Sequence, residues 1–439
     1  MKKRISTGCL AALLITAVMT LSAKAQIPEK PEFGKFAITN VTIHTVTDGV
    51  IENGVVLIEG ERIAFVGKNA KITPDYQQVD GTGKHLYPGF MDSRTQLGLQ
   101  EIGSVAVTRD QAELGSFNPH VMAFTAINPS SVNIPVTRVN GVTHVISNPV
   151  SGRLSGKSTL IDLYGYSPDS MAILKRASLH LNWPSAVKRG WWDDRKPEKI
   201  QEQYEENLKE LNDFWNKAKF YHRMVTAYEE NPSGKTKPEK DEVLDAMREV
   251  VTGSIPVVIS VNRKKNIENA INWAAGKGQA HFILSGVREG WRVADKIAES
   301  GIPCLVSTLH TPVRDYDNYQ RPYQNPGKLH EAGVKIAFAT GEVENVRNVL
   351  YHAGYGATYG LGREEAIRAL TINPAEIFGV SEHLGSIEEG KQANLFIADG
   401  DPLEPMTHIE QVFIRGYKVP MVSRHTQLYE EFLNRGPDR

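Results

Sequence analysis

Three polar side chains follow a short apolar run at alternate positions, and their types could do chemistry. Asp92, Arg94 and Gln96 come after Tyr87-Pro-Gly-Phe-Met, the profile of a buried strand that delivers side chains into a pocket at its C-terminal end. A carboxylate and a permanent cation there can form an ion pair across the pocket mouth. Alternatively, the cation can capture the carboxylate of a ligand. The sequence therefore predicts a polar pocket at the end of this strand.

Other polar residues stand within or just after further apolar runs. His144 and His180 stand within two of these runs, and His310 follows a third run, at residues 302–307. No close-spaced histidine pair of the H-E-x-x-H kind is present, and a lone histidine on a strand is more often a hydrogen-bonded core residue than a metal ligand. The residues expected around the pocket are Asp92, Arg94, Gln96, His144, His180, Ser260, Thr340 and Glu342.

The sequence motifs of several other kinds of active site are absent from the chain. The chain contains no G-x-S-x-G nucleophile elbow, no phosphate-binding G-x-x-x-x-G-K-[ST] loop and no G-x-G-x-x-G fingerprint. The run from Ser151 to Ser158 is rich in Gly and Ser but has no phosphate-loop spacing, so we interpret it as a loop on the active-site side. The net charge of −1 gives no electrostatic reason to expect nucleic acid as a partner.

The order of the elements predicts an α/β barrel with β-rich ends. Between residues 84 and 380, apolar runs alternate with helical patterns, as in successive βα units. Short strands without helices occur at residues 36–79 and again at 395–414, which indicates one small module built from both ends. A charged helical stretch near 198–230 interrupts the alternation and is predicted to be a solvated insertion.

Five blocks resemble the amidohydrolase superfamily, and most closely its imidazolonepropionase-like members. They are Pro88–Asp92, residues 141–143, 361–366, 370–375 and 385–395, in the family's order. The resemblance implies a TIM-like (β/α)8 barrel inserted into a small composite β-sandwich formed by both termini. It places the sandwich at 26–83 and 381–422, the barrel at 84–380 and a C-terminal tail at 423–439.

The resemblance also implies a metal centre, for which this chain lacks the ligands. Active members hold divalent metal with a first-strand His-x-His, later histidines and an eighth-strand Asp, because the metal lowers the pKa of a bound water. Arg94 and Gln96 replace the first pair, Ser260 stands at the fifth strand, and Thr340-Gly341 replaces the eighth-strand motif. We expect no metal and no other cofactor here; zinc is implied only if the family chemistry is retained.

Residues 1–25 predict export. A basic start, an apolar stretch too short for a comfortable membrane span and an Ala23-Lys24-Ala25 signal describe a cleaved secretory peptide. Cleavage leaves Cys304 as the single cysteine, so no intrachain disulfide is expected. The mature protein is predicted to be secreted, most simply to a periplasm, with no stable membrane anchor.

Three functions remain open from the sequence. The first is hydrolysis of C–N bonds in non-peptide amides, as the resemblance implies, at an altered site. The second is a catalytically silent protein that supports an active amidohydrolase, as a homo-oligomer or a hetero-oligomer. The third is a periplasmic binding protein in which Arg94 holds a small amide or carboxylate ligand. Metal analysis separates the first from the other two.

Overall fold

The computed structural model describes residues 30–188, 190, 192–309 and 319–436. The predicted signal peptide and His310 lie outside the described residues. The described strands are β1 (Lys35–His44), β2 (Val50–Glu59), β3 (Arg62–Gly67), β4 (Gln77–Asp80), β5 (His85–Pro88), β6 (Phe90–Thr95), β7 (Val142–Ser147), β8 (Leu154–Asp162), β9 (Ala172–Asn182), β10 (Val257–Val261), β11 (Phe282–Gly286), β12 (Cys304–Val306), β13 (Ile336–Phe338), β14 (Leu395–Ala398), β15 (Ile409–Ile414) and β16 (Tyr417–Val419).

Helices occupy most of the connections between the later strands. They are α1 (Asn133–Arg138), α2 (Pro168–Met171), α3 (Pro197–Glu230), α4 (Glu242–Asp245), α5 (Arg248–Val251), α6 (Lys264–Ala275), α7 (Ala294–Ser300), α8 (Arg321–Glu331), α9 (Val349–Gly356), α10 (Arg363–Arg368), α11 (Ile372–Ile377) and α12 (Arg424–Leu433). The last of these lies in the segment predicted as a tail. Within the described ranges, none of the helices combines the length and apolar character needed to span a bilayer.

Strands β6 to β13 form a nearly closed barrel sheet, as the sequence predicts. Their order follows the chain, from β6 next to β7 through to β13. The apolar interior is built from one inward residue per strand, including Met91, Ile146, Val258, Ile283 and Leu305. Residues of α11 and the segment after it, among them Phe378 and Leu384, pack against the same cluster.

One barrel strand differs from the expected all-parallel arrangement. β8 pairs antiparallel with both β7 and β9, while the other neighbours in the barrel pair in parallel. The loop predicted for residues 151–158 is therefore wrong from Leu154 onward, because every residue of β8 is buried. Its polar side chains have partners there: Lys157 is ion-paired with Glu249 at 2.9 Å, and Ser158 hydrogen bonds with Ser178 at 2.6 Å.

The two chain ends form one further eight-stranded sheet. Its order is β16-β15-β14-β5-β1-β2-β3, with β4 also paired to β1. β5 and β14 pair antiparallel, with Pro88 opposite Leu395 and His85 opposite Ala398, so the segment before the barrel is joined to the segment after it. Gly89 lies between β5 and β6, and a Cβ atom there would fall 1.9 Å from the Thr143 hydroxyl. The start of β6 therefore lies in close contact with β7.

The helical insertion predicted near 198–230 is α3, which packs on the outside of the barrel. Trp215 is 1 % exposed and lies edge-on to Trp273 of α6, with ring centroids 5.3 Å apart. Its other side is solvated, with Phe220 and Met224 exposed. The helix is thus anchored by one apolar stripe and is not a free arm.

Candidate pocket inside the barrel

The first and last barrel strands meet through the carboxylate of Asp92. One carboxylate oxygen accepts from the backbone N–H of Thr340 at 3.1 Å, and the other accepts from its hydroxyl at 2.5 Å. Backbone bonds continue the seam, from Gly341 N–H to the Arg94 carbonyl at 2.9 Å and from Gln96 N–H to the Glu342 carbonyl at 3.1 Å. Asp92, Gln96, Thr340 and Glu342 therefore come together, as closing elements of the barrel.

Arg94 does not form the predicted ion pair with Asp92. The Asp92 carboxylate bonds to the backbone N–H of Arg94 at 3.1 Å, and the guanidinium instead reaches Ser285 of β11, with Nη1 3.4 Å from Oγ. No ion pair involves Arg94 within the described part of the chain, and its buried Nε has no hydrogen-bond partner there. The correction has a physical reason: the Asp92 oxygens are already occupied by Thr340, so the longer Arg94 side chain extends into the barrel.

His180 also faces the barrel interior. It is paired with Val258 in the β9–β10 ladder, and Val258 belongs to the interior cluster. Its Nε2 is 3.2 Å from the hydroxyl of Ser178, while its buried Nδ1 has no partner. Burial lowers the pKa of His180 well below its ordinary value, and the positive charge of Arg94 adds to this effect, so the ring is neutral.

Two serines lie on the same inward face, one layer beyond His180. Ser260 and Ser285 are partners in the β10–β11 ladder, two residues beyond the inward-facing Val258 and Ile283. Ser285, 2 % exposed, accepts the hydrogen bond from Arg94 and is not among the residues predicted for the pocket from the sequence. The alternation of inward residues along Phe282–Gly286 was the signal that could have identified it.

His144 belongs to a different network, at the junction between the barrel and the terminal sheet. Its ring nitrogens contact the Thr143 hydroxyl at 2.7 Å and the side-chain amide of Asn394, the residue just before β14. Burial lowers the pKa of His144 to about 3, so the ring is neutral. The expectation that His144 shares the pocket of Arg94 is not met, because it sits near the start of β7 rather than at its C-terminal end.

Asn394 connects this junction. Its amide nitrogen donates to Asp162 Oδ1 at 2.7 Å as well as to His144, and its Oδ1 accepts from the backbone N–H of Arg415. The other oxygen of Asp162 lies 3.3 Å from Nε of Arg415. Burial raises the pKa of Asp162 to about 7, against the opposing influence of Arg415 and Asn394. An amide suits position 394 because its N–H groups donate hydrogen bonds to the buried carboxylate of Asp162 and to His144.

Asp92 is the second fully buried carboxyl group with a strongly shifted pKa. Burial raises its pKa to about 7, although the hydrogen bonds from Thr340 and from the Arg94 backbone work in the opposite direction. Since these bonds occupy its oxygens, Asp92 is held as a structural acceptor at the seam. A group held in this way is poorly placed to take up a proton from a substrate.

The residues of the pocket do not fit a divalent metal. Arg94 carries a permanent positive charge into the interior, and it has no lone pair to offer a cation. Among the described residues, no group of three or more His, Cys, Asp or Glu side chains is arranged to hold a metal ion. Within the described ranges, the imidazole that faces the interior near Arg94 is His180, and its hydrogen bond is to the hydroxyl of Ser178. The arrangement suits recognition of an anion better than activation of water.

The chain is similar in sequence to proteins of a known family. Residues 145–419 match the model of the amidohydrolase family. A 5-methylthioadenosine/S-adenosylhomocysteine deaminase from Thermoanaerobacter pseudethanolicus is 22% identical over 374 residues, which is 80% of this chain and 82% of that protein. An imidazolonepropionase from Shouchella clausii is 23% identical over 388 residues, 80% of each chain.

A solved structure shows the same architecture. An amidohydrolase from Thermotoga maritima MSB8 superposes with a TM-score of 0.76 at 26% identity, covering 89% of this chain and 100% of that one.

Proposed function

The chain belongs to the amidohydrolase family, and we propose that it is an exported member that has lost metal-dependent hydrolysis and binds a small molecule in its barrel. Members of the family hydrolyse C–N bonds. The observation that carries the proposal is the guanidinium of Arg94, which lies in the barrel interior against Ser285 without an acidic partner among the described residues. A fixed cation in that place repels the metal on which the family chemistry depends.

Metal analysis of the purified mature protein tests the loss of hydrolysis. After loading with zinc and dialysis, we expect substoichiometric metal and no hydrolysis of N-acyl or imide substrates. An imidazolonepropionase with an intact His-x-His motif, treated in the same way, provides the positive control. Stoichiometric zinc together with zinc-dependent hydrolysis would show that the proposal is wrong.

Export is a separate part of the proposal and is supported by residues 1–25 alone. The basic start, short apolar stretch and Ala23-Lys24-Ala25 signal are typical of a secretory peptide. We expect the mature chain in the periplasmic or extracellular fraction, beginning near Gln26. N-terminal sequencing of the fractionated protein measures this directly, and an intact Met1 in the cytoplasmic fraction would contradict it.

A second candidate function is support of an active amidohydrolase subunit. It is favoured by the solvent-facing side of α3, where Phe220 is 60% exposed and Met224 is 39% exposed. These side chains line a shallow cleft of about 650 Å³ together with Leu244. Size-exclusion chromatography of the chain mixed with a purified homologue that carries His-x-His tests this function. A complex that Phe220→Glu abolishes would support it, and separate elution of the two proteins would argue against it.

A further inference from the structure

We infer that the barrel interior binds a small organic carboxylate, with Arg94 as the cation that holds it and His180 as a neighbouring hydrogen-bond partner. This inference rests on the proposed function, since it names the class of ligand for the same pocket. It arises from polar groups inside the barrel that the protein itself leaves unsatisfied.

The guanidinium of Arg94 is the first of these groups. An arginine side chain presents five N–H donors, and here only the 3.4 Å contact from Nη1 to Ser285 engages a described side chain. The Nε atom is buried and has no partner, although buried donors are nearly always hydrogen-bonded in folded proteins. The side chain therefore has unused donors and no ion pair among the described residues, and a bound anion would supply both an acceptor and a close counter-charge.

Asp92 does not supply the missing anion. Its carboxylate is bonded to the Thr340 backbone and hydroxyl and reaches Arg94 only through the backbone N–H. No distance between the Arg94 guanidinium and a described carboxylate falls within the 4.0 Å that defines an ion pair. The charges of Asp92 and Arg94 influence each other's pKa, but the Asp92 carboxylate makes no hydrogen bond or ion pair with the guanidinium.

His180 is the second unsatisfied group. Its Nδ1 is buried without a partner, while its Nε2 lies next to Ser178, whose hydroxyl in turn is 2.6 Å from that of Ser158. When the Ser178 hydroxyl donates to Nε2, the single proton of the neutral ring resides on Nδ1 and can be donated. An anion beside Arg94 favours this tautomer, because it offers the acceptor that Nδ1 lacks.

The chemistry of these groups favours a carboxylate over other anions. A planar guanidinium matches a carboxylate in a two-point arrangement, and a single arginine balances a single negative charge. The hydroxyls of Ser260 and Ser285, partners in one ladder, add neutral donors on the same face. Burial lowers the pKa of Arg94 below its ordinary value; the negative charge of Asp92 acts in the opposite direction, and the positive charge of Arg288, just after β11, adds to the lowering.

Calorimetric titration at fixed ionic strength tests the inference with a matched pair of probes. N-acetylglycine and N-acetylglycinamide differ only in that the second lacks the carboxylate charge. We expect the full mature protein to bind N-acetylglycine and not its amide, with succinate as a second carboxylate probe. Equal affinity for the acid and the amide, or binding of neither carboxylate, would overturn the inference.

Variants of Arg94 test whether this side chain holds the carboxylate. Arg94→Gln should weaken carboxylate binding by about tenfold to a hundredfold, since hydrogen bonds to charged groups are the strong ones. Arg94→Lys, which keeps the charge, should retain part of the affinity and guards against simple misfolding. Arg223→Gln removes the same charge from the exposed face of α3 and should change nothing. Unchanged binding by Arg94→Gln would overturn the inference.

The outcomes separate this inference from the proposed function. Absence of zinc and of hydrolysis combined with absence of carboxylate binding would overturn the inference alone. Carboxylate binding that disappears when EDTA removes a bound metal would overturn both, because the ligand would then be held by the metal rather than by Arg94. Inorganic phosphate binding more tightly than either carboxylate would overturn the ligand class.

Discussion

The carboxylate of Asp92 and the backbone and hydroxyl of Thr340 are joined by hydrogen bonds of 3.1 Å and 2.5 Å. They connect two strands that lie 248 residues apart in the chain. The Asp92 side chain joins the two strands next to the backbone bonds from Gly341 to Arg94 and from Gln96 to Glu342, and the Arg94 side chain extends inward. The same contact therefore closes the barrel and shapes the pocket.

Thr340→Val should destabilise the fold by about 1–3 kcal/mol in free energy of unfolding, since a fully buried carboxylate oxygen loses its hydroxyl donor. Valine has nearly the shape of threonine, so little packing is lost. Urea denaturation followed by circular dichroism measures the change, with Thr358→Val on an exposed helical turn as the control. Equal stability of the Thr340 variant and the parent would show that the seam does not depend on this bond.

The free energy of unfolding should depend on pH because Asp92 titrates at different pH values in the folded and unfolded states. Its pKa in the folded protein is raised to about 7 from an ordinary value of 3.8, so the folded state holds a proton that the unfolded chain releases between these values. The contribution of Asp92 to the free energy of unfolding is therefore greatest below about pH 4. It falls as the pH rises towards about 7.

Asp92→Asn removes this titration, so we expect the variant to gain stability relative to the parent as the pH rises from 4 to 7. Comparison with the parent is essential because His144, whose pKa is lowered to about 3, changes stability in the opposite direction over this range. Denaturation at several pH values measures the difference, and exposed Asp110→Asn provides the baseline. A difference that stays constant across the range would contradict the assignment.

Asn394→Asp should destabilise the junction between the barrel and the terminal sheet by about 3 kcal/mol or more. The substitution replaces the amide donor to Asp162 with a second carboxylate, and like charges in a buried site are strongly unfavourable. Thermal unfolding measures the loss, with exposed Asn216→Asp as the matched control. Adding Asp162→Asn should restore part of the stability; a double variant no better than Asn394→Asp would exclude this cause.

The barrel strands that the sequence predicts are those with continuous apolar runs. β10, β11, β12 and β13 are buried between helices, so their residues read as near-unbroken apolar segments. β8 was missed because it carries Ser158 and Lys157, whose partners Ser178 and Glu249 lie far away in the sequence. Hydrophobic patterning cannot detect a strand whose polar residues are satisfied by tertiary contacts.

The pocket was predicted in part, for a similar reason. Asp92, Arg94 and Thr340 stand at the ends of strands that the family resemblance aligns, and the structure brings them together. Which of them pair could not be read from the sequence, because hydrogen bonding at the seam directs Asp92 to Thr340 instead of Arg94. His144 and His180 both lie on barrel strands, but His144 is at the opposite end of the barrel, next to Asn394. Hydrophobic periodicity indicates on which face of a strand a residue lies, but not its height along the barrel. The two histidines differ in this height.

Restoring the family's first-strand histidines should not restore metal binding. In the double variant Arg94→His and Gln96→His, two imidazoles would face the hydroxyls of Ser260, Ser285 and Thr340, whereas His180 lies one layer further down the barrel, level with Val258. Structural and catalytic zinc sites need at least three strong protein ligands, and the Asp92 carboxylate remains bonded to Thr340. Zinc titration in the presence of a competing chelator measures affinity, and Lys209→His with Lys217→His, eight residues apart on the exposed face of α3, controls for adventitious binding. Tight, stoichiometric zinc uptake by the first variant and not by the control would show that the later strands still contribute ligands.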